Sequence, residues 1–326
     1  MKYVGIQTQR RRNNIRSTAL LVLFPTLVVG LAWLFFFFTF MFLVQEPEAT
    51  THSSQNEMFF IVNQMFIHSL PWILGACAVW FTIAYFSNTA MIRAATSSHS
   101  LSRMENKRVY NLVENLCMSI GMPMPKLNVI DDDSLNAFAS GINKGSYTVT
   151  LSRGIIDKLD DEELKGVIAH ELTHIRNRDV RLLIVSIVFV GVFAFISQML
   201  FRTLLHSPRR SSNDKDKGGA IILILIALLL AAIGYLLATL MRFAISRQRE
   251  YMADAGAAEM TKNPQALASA LQKIAEDPYI EAVEREDVAQ MFIEHTGKKK
   301  KRNSLISRLF ATHPPIEDRI AILGQF

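Results

Sequence analysis

The chain has 326 residues, room for two ordinary globular domains, and half of them are hydrophobic. Its two cysteines exclude a disulfide framework. The net charge of +6 matters less than where the Lys and Arg sit relative to long apolar stretches.

Arg10, Arg11, Arg12 and Arg16 precede a first apolar stretch, Thr18 to Val44, interrupted by Pro25. A span of about 20 residues crosses a hydrocarbon core of roughly 30 Å. The stretch exceeds the apolar core of a signal peptide, and Gln45-Glu46-Pro47-Glu48 is a poor cleavage site, so a retained anchor is expected. The arginines place the N-terminus in the cytoplasm. The following loop, Gln45 to Glu57, is acidic and lacks Lys and Arg, as suits the outer side. A second stretch runs from Phe66 to Phe86, and Arg93, Arg103, Lys107 and Arg108 then return the chain to the cytoplasm. Residues 1–87 thus form an anchor of two spans, 18–44 and 66–86.

Residues 88–181 form a first soluble block. Leu101 to Met118 has helical spacing, with Val109, Leu112, Val113, Leu116 and Cys117 on one side. Gly121 to Pro125 ends that helix, and Lys126–Ile130 and Tyr147–Leu151 are strand candidates. Between them lies Asn136-Ala137-Phe138-Ala139-Ser140-Gly141, with a turn at Asn143 to Gly145. Acids from Asp160 to Glu163 mark the start of a helix carrying Leu164, Val167 and Ile168. Cys77 lies in the second span and Cys117 in a soluble helix, both read as plain buried thiols.

Residues 182–241 form a hydrophobic hairpin, 182–201 and 218–241. If both arms cross fully, the linker His206 to Lys217 lies outside, yet it carries Arg209, Arg210, Lys215 and Lys217. A shallow hairpin avoids that conflict, and either arrangement leaves the two soluble blocks on one side. In the second block, 242–326, a helix is expected over Arg242–Met260, a break at Asn263-Pro264, and a short helix over Ala266–Ile274.

The string His170-Glu171-Leu172-Thr173-His174 concentrates the chemistry. On a helix, positions i and i+4 differ by about 40° of rotation and one turn of rise, so both imidazoles point the same way. Two such imidazoles can hold one zinc ion, with the intervening carboxylate beside a bound water. A catalytic site needs a third protein ligand. His52, His68 and His206 fall on the wrong side of the membrane in this topology, while His99, His295 and His313 fall on the correct one. The stronger candidate is Glu250, with Asp254 one turn further on, able to accept a hydrogen bond from a ligand histidine. The alternative is a solvated helix in which Arg247 and Arg249 pair with these acids.

HELTH followed by Glu250-Tyr251-Met252-Ala253-Asp254 resembles the membrane-anchored gluzincin peptidases of the M48 type, and among them the bacterial heat-shock proteases. The segment Asn136 to Gly141, the placing of the spans, and Thr312-His313-Pro314-Pro315 with Arg319 match as well, so the resemblance covers nearly the whole chain. It implies a mainly α multi-span membrane protein with a small β-sheet and a gluzincin-type zinc peptidase domain. It implies that His170, His174 and Glu250 bind one zinc ion per chain, that Glu171 is the general base, and that Asn136 and His313 lie in the substrate cleft. It implies an endopeptidase of the bacterial inner membrane, its catalytic domain facing the cytoplasm, acting on misfolded or damaged membrane proteins.

The basic run Lys298 to Arg302 has no interleaved aromatic residues, so a solvated loop drawn to anionic membrane lipid is expected rather than a nucleic-acid site. Two rival classes are weaker. An inactive scaffold does not explain an intact Glu171, and a transporter does not explain spans almost free of ionisable residues.

Overall fold

In the computed structural model the described residues are 6–43, 52–206, 214–243, 248–276 and 314–326. The expected mainly helical chain with a small sheet is what they form. In chain order they are α1 (Ile6–Leu43), α2 (His52–Thr96), β1 (His99–Ser100), α3 (Lys107–Ser119), β2 (Lys126–Ile130), β3 (Ala137–Ser140), β4 (Thr148–Ser152) and α4 (Arg153–Lys158). There follow α5 (Asp161–Asn177), α6 (Asp179–His206), α7 (Asp214–Phe243), α8 (Gln248–Thr261), α9 (Pro264–Ile274) and α10 (Ile316–Leu323). The chain divides into two compact units, one of residues 1–17, 85–184 and 243–326, the other of 18–84 and 185–242.

The second unit is built from the apolar parts of α1, α2, α6 and α7. Stretches of 32, 40, 27 and 19 residues in these helices are long and apolar enough to cross a membrane. Trp72, Phe60, Phe86 and Leu205 stay exposed on them, as suits a lipid solvent. The packing is aromatic: Phe24 stacks on Phe189 with ring centroids 4.2 Å apart, and Phe193 meets Phe24 edge-on. Gly234 makes the close approach possible, since a Cβ there would sit 2.3 Å from a ring carbon of Phe193. α2 outruns the apolar window at both ends, taking in Glu57 and reaching Thr96. Hydropathy marks where a helix leaves hydrocarbon, not where it stops being a helix.

The first unit carries a sheet in the order β1-β2-β4-β3. β2 and β4 run parallel in its middle, Lys126 opposite Thr148 and Ile130 opposite Ser152, with all but Lys126 buried. β3 pairs antiparallel with β4, Ala139 opposite Val149, and forms one edge. The spacing had suggested no strand at Ala137–Ser140, because a four-residue buried edge lacks alternation. Helix α3 begins six residues later than its apolar spacing suggests. The Asn106 side chain accepts from Val109 N–H and caps it there. The expected side is confirmed, with Val109, Val113, Leu116 and Cys117 buried. Burial also raises the Cys117 thiol to about 11, which leaves it an inert core residue.

Helix α5 starts at a capping box. Asp160 accepts from Glu163 N–H at 2.9 Å, and the Glu163 side chain accepts from Asp160 N–H at 3.0 Å. Glu163 reaches further, taking hydrogen bonds from Ser269 at 2.6 Å and Lys273 at 2.7 Å on α9. Gly166 lets α9 lie close, for a Cβ there would meet Leu267 at 3.1 Å. Burial opposes ionisation of Glu163, but Lys273 and Ser269 outweigh it and hold its carboxyl below the ordinary 4.5. Its stabilisation is therefore present above the unfolded-state value and lost as pH falls through the lower folded one. Glu163→Ala should destabilise the unit by about 1–3 kcal/mol at neutral pH. In thermal unfolding, the gap in melting temperature from the parent should narrow below about pH 4.

Candidate active site

Three features of the chain build the site around α5. Its spacing turns His170 and His174 to one side, their rings 4.7 Å apart and nearly perpendicular. Its end is abrupt, for Arg178 adopts the left-handed conformation (φ 62°, ψ 24°) and its N–H closes onto the carbonyls of His174 and Ile175. α6 begins at the next residue, so Asp179 comes back to within 3.0 Å of His174 Nδ1. Asp179 also lies in the first turn of α6, where the helix dipole favours a carboxylate.

α8 supplies the second part. It packs across α5 where Gly256 faces Thr173, and a Cβ there would lie 2.5 Å from Thr173 Cγ2. That approach carries Glu250 to 3.6 Å from His170 Nε2 and 3.7 Å from His174 Nε2. One turn on, Asp254 sits 2.9 Å from His170 Nδ1. Neither acid is solvated: both are buried, which removes the alternative of a water-facing helix. α10 supplies the third part. Arg319 is fully buried and grips Asp254 with two hydrogen bonds, from Nε at 2.9 Å and from Nη2 at 2.7 Å.

The chemistry of this donor set fits a metal ion. Nδ1 of each imidazole faces a carboxylate, Asp254 for His170 and Asp179 for His174, so that in the neutral ring with its proton on Nδ1 each Nε2 would present a lone pair. The two Nε2 atoms face one another at 3.1 Å. Lone pairs at that distance repel unless a proton or a cation lies between them. Zinc–nitrogen bonds of about 2.05 Å in a tetrahedron put two ligand atoms roughly 3.3 Å apart. The separations of 3.1, 3.6 and 3.7 Å bracket that value. Among the described residues, His170, His174 and Glu250 form a group that could hold a metal ion, with donor atoms all within 4.8 Å of one another.

The electrostatics agree. Burial lowers the basicity of His174, but Glu250 and then Asp179 outweigh it and raise its pKa to about 10. His170 is raised likewise, Asp254 and Glu250 overcoming burial. The site therefore draws positive charge into its centre. Burial pushes Asp254 up, yet Arg319 overrides it and holds the carboxylate at about 2, so it stays an acceptor for His170. Glu171 is also buried, and burial raises its pKa above the ordinary carboxylate value.

Glu171 accepts a hydrogen bond from the backbone N–H of Ala139 on β3. The Ala139 N–H therefore points away from β4, towards α5. By the two-residue period Ala137 faces the same way, and its N–H is taken by the side chain of Asn136 at 2.9 Å. Asn136 is itself buried at the head of the edge strand, its own N–H held by Ser152 Oγ. The sequence thus pointed to a segment that does reach the site. His313 and His295 lie outside the described residues, and His99 is exposed beside Asp131, away from the histidine pair. Two residues of the site carried no role in the sequence reading. Asp179 could have been found from its place just beyond the helix-ending Asn177-Arg178, whereas Arg319, a matched residue of the resemblance, had no local signal for burial against Asp254.

Membrane-spanning helices joined to a buried HExxH helix, completed by a glutamate from a second helix, define a membrane metallopeptidase of the gluzincin type. Residues 103–325 match the model for peptidase family M48, and the chain belongs to that family. A relative named protease HtpX homolog from Bacteroides fragilis is 64% identical over 328 residues, covering all of both chains. Proteins of the same name from Dictyoglomus turgidum and Listeria monocytogenes are 41% and 36% identical, covering 76% and 74% of this chain and 79% and 82% of theirs. The protein is a membrane metalloprotease.

Gly256→Ala tests the close approach of α8. Alanine favours the helix by about 1 kcal/mol, yet its methyl collides with a buried, rotamer-locked Thr173. The variant should bind metal at least tenfold more weakly in a competition titration though all three donor side chains remain. Adding Thr173→Ala, which removes the colliding Cγ2, should restore most of the affinity.

Proposed function

We propose that this protein is a zinc-dependent endopeptidase that cleaves misfolded or damaged membrane proteins on the cytoplasmic side of the inner membrane, with one zinc per chain. The observation that carries the reading is the pair of imidazole Nε2 atoms 3.1 Å apart, closed by Glu250 and flanked by Glu171. His170, His174 and Glu250 would hold the metal, and a donor set of borderline imidazole nitrogens and one hard carboxylate oxygen suits zinc. Bound zinc supplies Lewis acidity, lowering the pKa of water towards neutrality and polarising the substrate carbonyl.

The chain's own residues do the rest. Glu171 takes a proton from the attacking water and returns it to the departing amine. Its raised pKa favours holding that proton between the two steps. Asp254 and Asp179 keep each imidazole in the tautomer that points its lone pair inward. A substrate strand laid along the outer edge of β3 runs past Glu171, with Asn136 at the head of that edge. Strand addition recognises backbone rather than side chains, and it engages residues on both sides of the bond, hence an endopeptidase with broad choice of sequence. His313 is a candidate for a further hydrogen bond to the developing oxyanion.

The heat-shock resemblance supports misfolded substrates, and exposed Arg11, Arg12 and Arg16 ahead of the first apolar stretch support the cytoplasmic side. The run Lys298 to Arg302 is assigned to contact with anionic lipid.

Glu171→Gln should abolish peptide cleavage while leaving about one zinc per chain, because the base is no ligand. His174→Ala and Glu250→Ala should lose both metal and activity. Full zinc occupancy with normal turnover in Glu250→Ala would overturn the ligand set. Orientation is read by single cysteines in a chain lacking Cys77 and Cys117. Ser102→Cys and Ser304→Cys should resist a membrane-impermeant thiol reagent in intact cells, and Ser53→Cys should react. Labelling of Ser211→Cys from outside means that α6 and α7 cross fully; protection means a shallow hairpin.

A further inference from the structure

Asn13 sits in the first turns of α1, in the same compact unit as the metal site, and is fully buried. Its amide nitrogen donates to Asn177 O at 3.0 Å and to Asp179 Oδ1 at 2.6 Å. Both partners are acceptors, so the amide can face them only with its NH2 group. Asn177 O is a terminal carbonyl of α5 with no further helical turn to bond it. With its other oxygen, Oδ2, Asp179 accepts from His174 Nδ1 at 3.0 Å. A continuous line of hydrogen bonds thus runs from Asn13 through Asp179 to His174. The neighbouring Asn14 accepts from Arg178 Nη1 at 2.8 Å, so the start of α1 touches each of residues 177, 178 and 179.

We infer that Asn13 is a positioning residue for the metal site: it fixes the plane of the Asp179 carboxylate and through it the ring of His174. A carboxylate held by one imidazole alone can swing about its Cβ–Cγ bond, and the imidazole follows. A second donor on the opposite oxygen locks both. The inference rests on His174 being a metal ligand. That reading would fail separately, in a parent chain that binds no zinc.

The test is a zinc-competition titration of the full chain in detergent, beside steady-state kinetics. Asn13→Ala should weaken zinc binding about tenfold, the lower end of what indirect partners of a ligand give. kcat should return towards the parent value when zinc is in excess, which loss of folded protein would not permit. Combined with Asp179→Asn, it should weaken binding little more than Asp179→Asn alone, because both act through one bond. Asn14→Ala removes only the contact to Arg178 and should leave zinc affinity unchanged. If Asn13→Ala does not fold, the near-isosteric Asn13→Leu fills the same space without a donor and should weaken zinc binding about tenfold as well. Parent-like affinity in the folded Asn13 variant, effects that multiply in the double variant, or an equal loss in Asn14→Ala would each overturn the inference.

Discussion

Two imidazole nitrogens facing each other at 3.1 Å, a spacing that only a proton or a cation between them can hold, are the constraint on which the rest of this structure depends. No isolated helix would hold two imidazoles so, since either ring could turn away or take a proton. Carboxylates behind the rings remove that freedom, Asp254 on one and Asp179 on the other. Each carboxylate is itself held: Asp254 by the buried guanidinium of Arg319, Asp179 by the amide of Asn13 and the first turn of α6. The desolvation of so many charges is steep, and it is offset by the Arg319–Asp254 pair and by positive charge, from a proton or a cation, at the centre.

The same logic explains where small residues fall. α8 must lie close enough on α5 for a glutamate, not a longer-reaching residue, to close the site, and Gly256 at Thr173 sets that distance. α9 must lie close on the other part of α5, and Gly166 at Leu267 allows it. Glu163 joins these contacts by capping α5 and bonding α9 with one carboxylate. Helix α5 is therefore fixed in translation by glycine contacts and in register by its cap, before any ligand is considered.

Much of this was legible in the sequence. The i, i+4 spacing of His170 and His174 is a local geometric fact, and so are the acid-rich start of α5 and the apolar lengths of the four long helices. Glu250 and Asp254 were legible as a pair because one helical turn separates them. What escaped notice was of two kinds. β3 is too short and too uniformly buried to alternate, so its edge position appears only once β4 is paired with it. Asn13 and Arg319 are polar residues whose burial depends on partners far along the chain, and no window of local sequence distinguishes them from surface residues.

The order of the site residues along the chain has a consequence for assembly. His170, His174 and Asp179 precede the apolar stretches of α6 and α7, Glu250 and Asp254 follow them, and Arg319 comes almost last. Lengthening a closed loop adds only about 0.6 kcal/mol per doubling, so a membrane hairpin between ligands is thermodynamically cheap. It imposes an order in time, however. Before the chain beyond α7 has been made, the two imidazoles have their Asp179 partner on one side and lack both Glu250 and the Arg319–Asp254 clamp on the other. A nascent chain therefore cannot bring Glu250 and Asp254 against His170 and His174 until its last membrane helix has been made, nor clamp Asp254 until its C-terminal helix has docked.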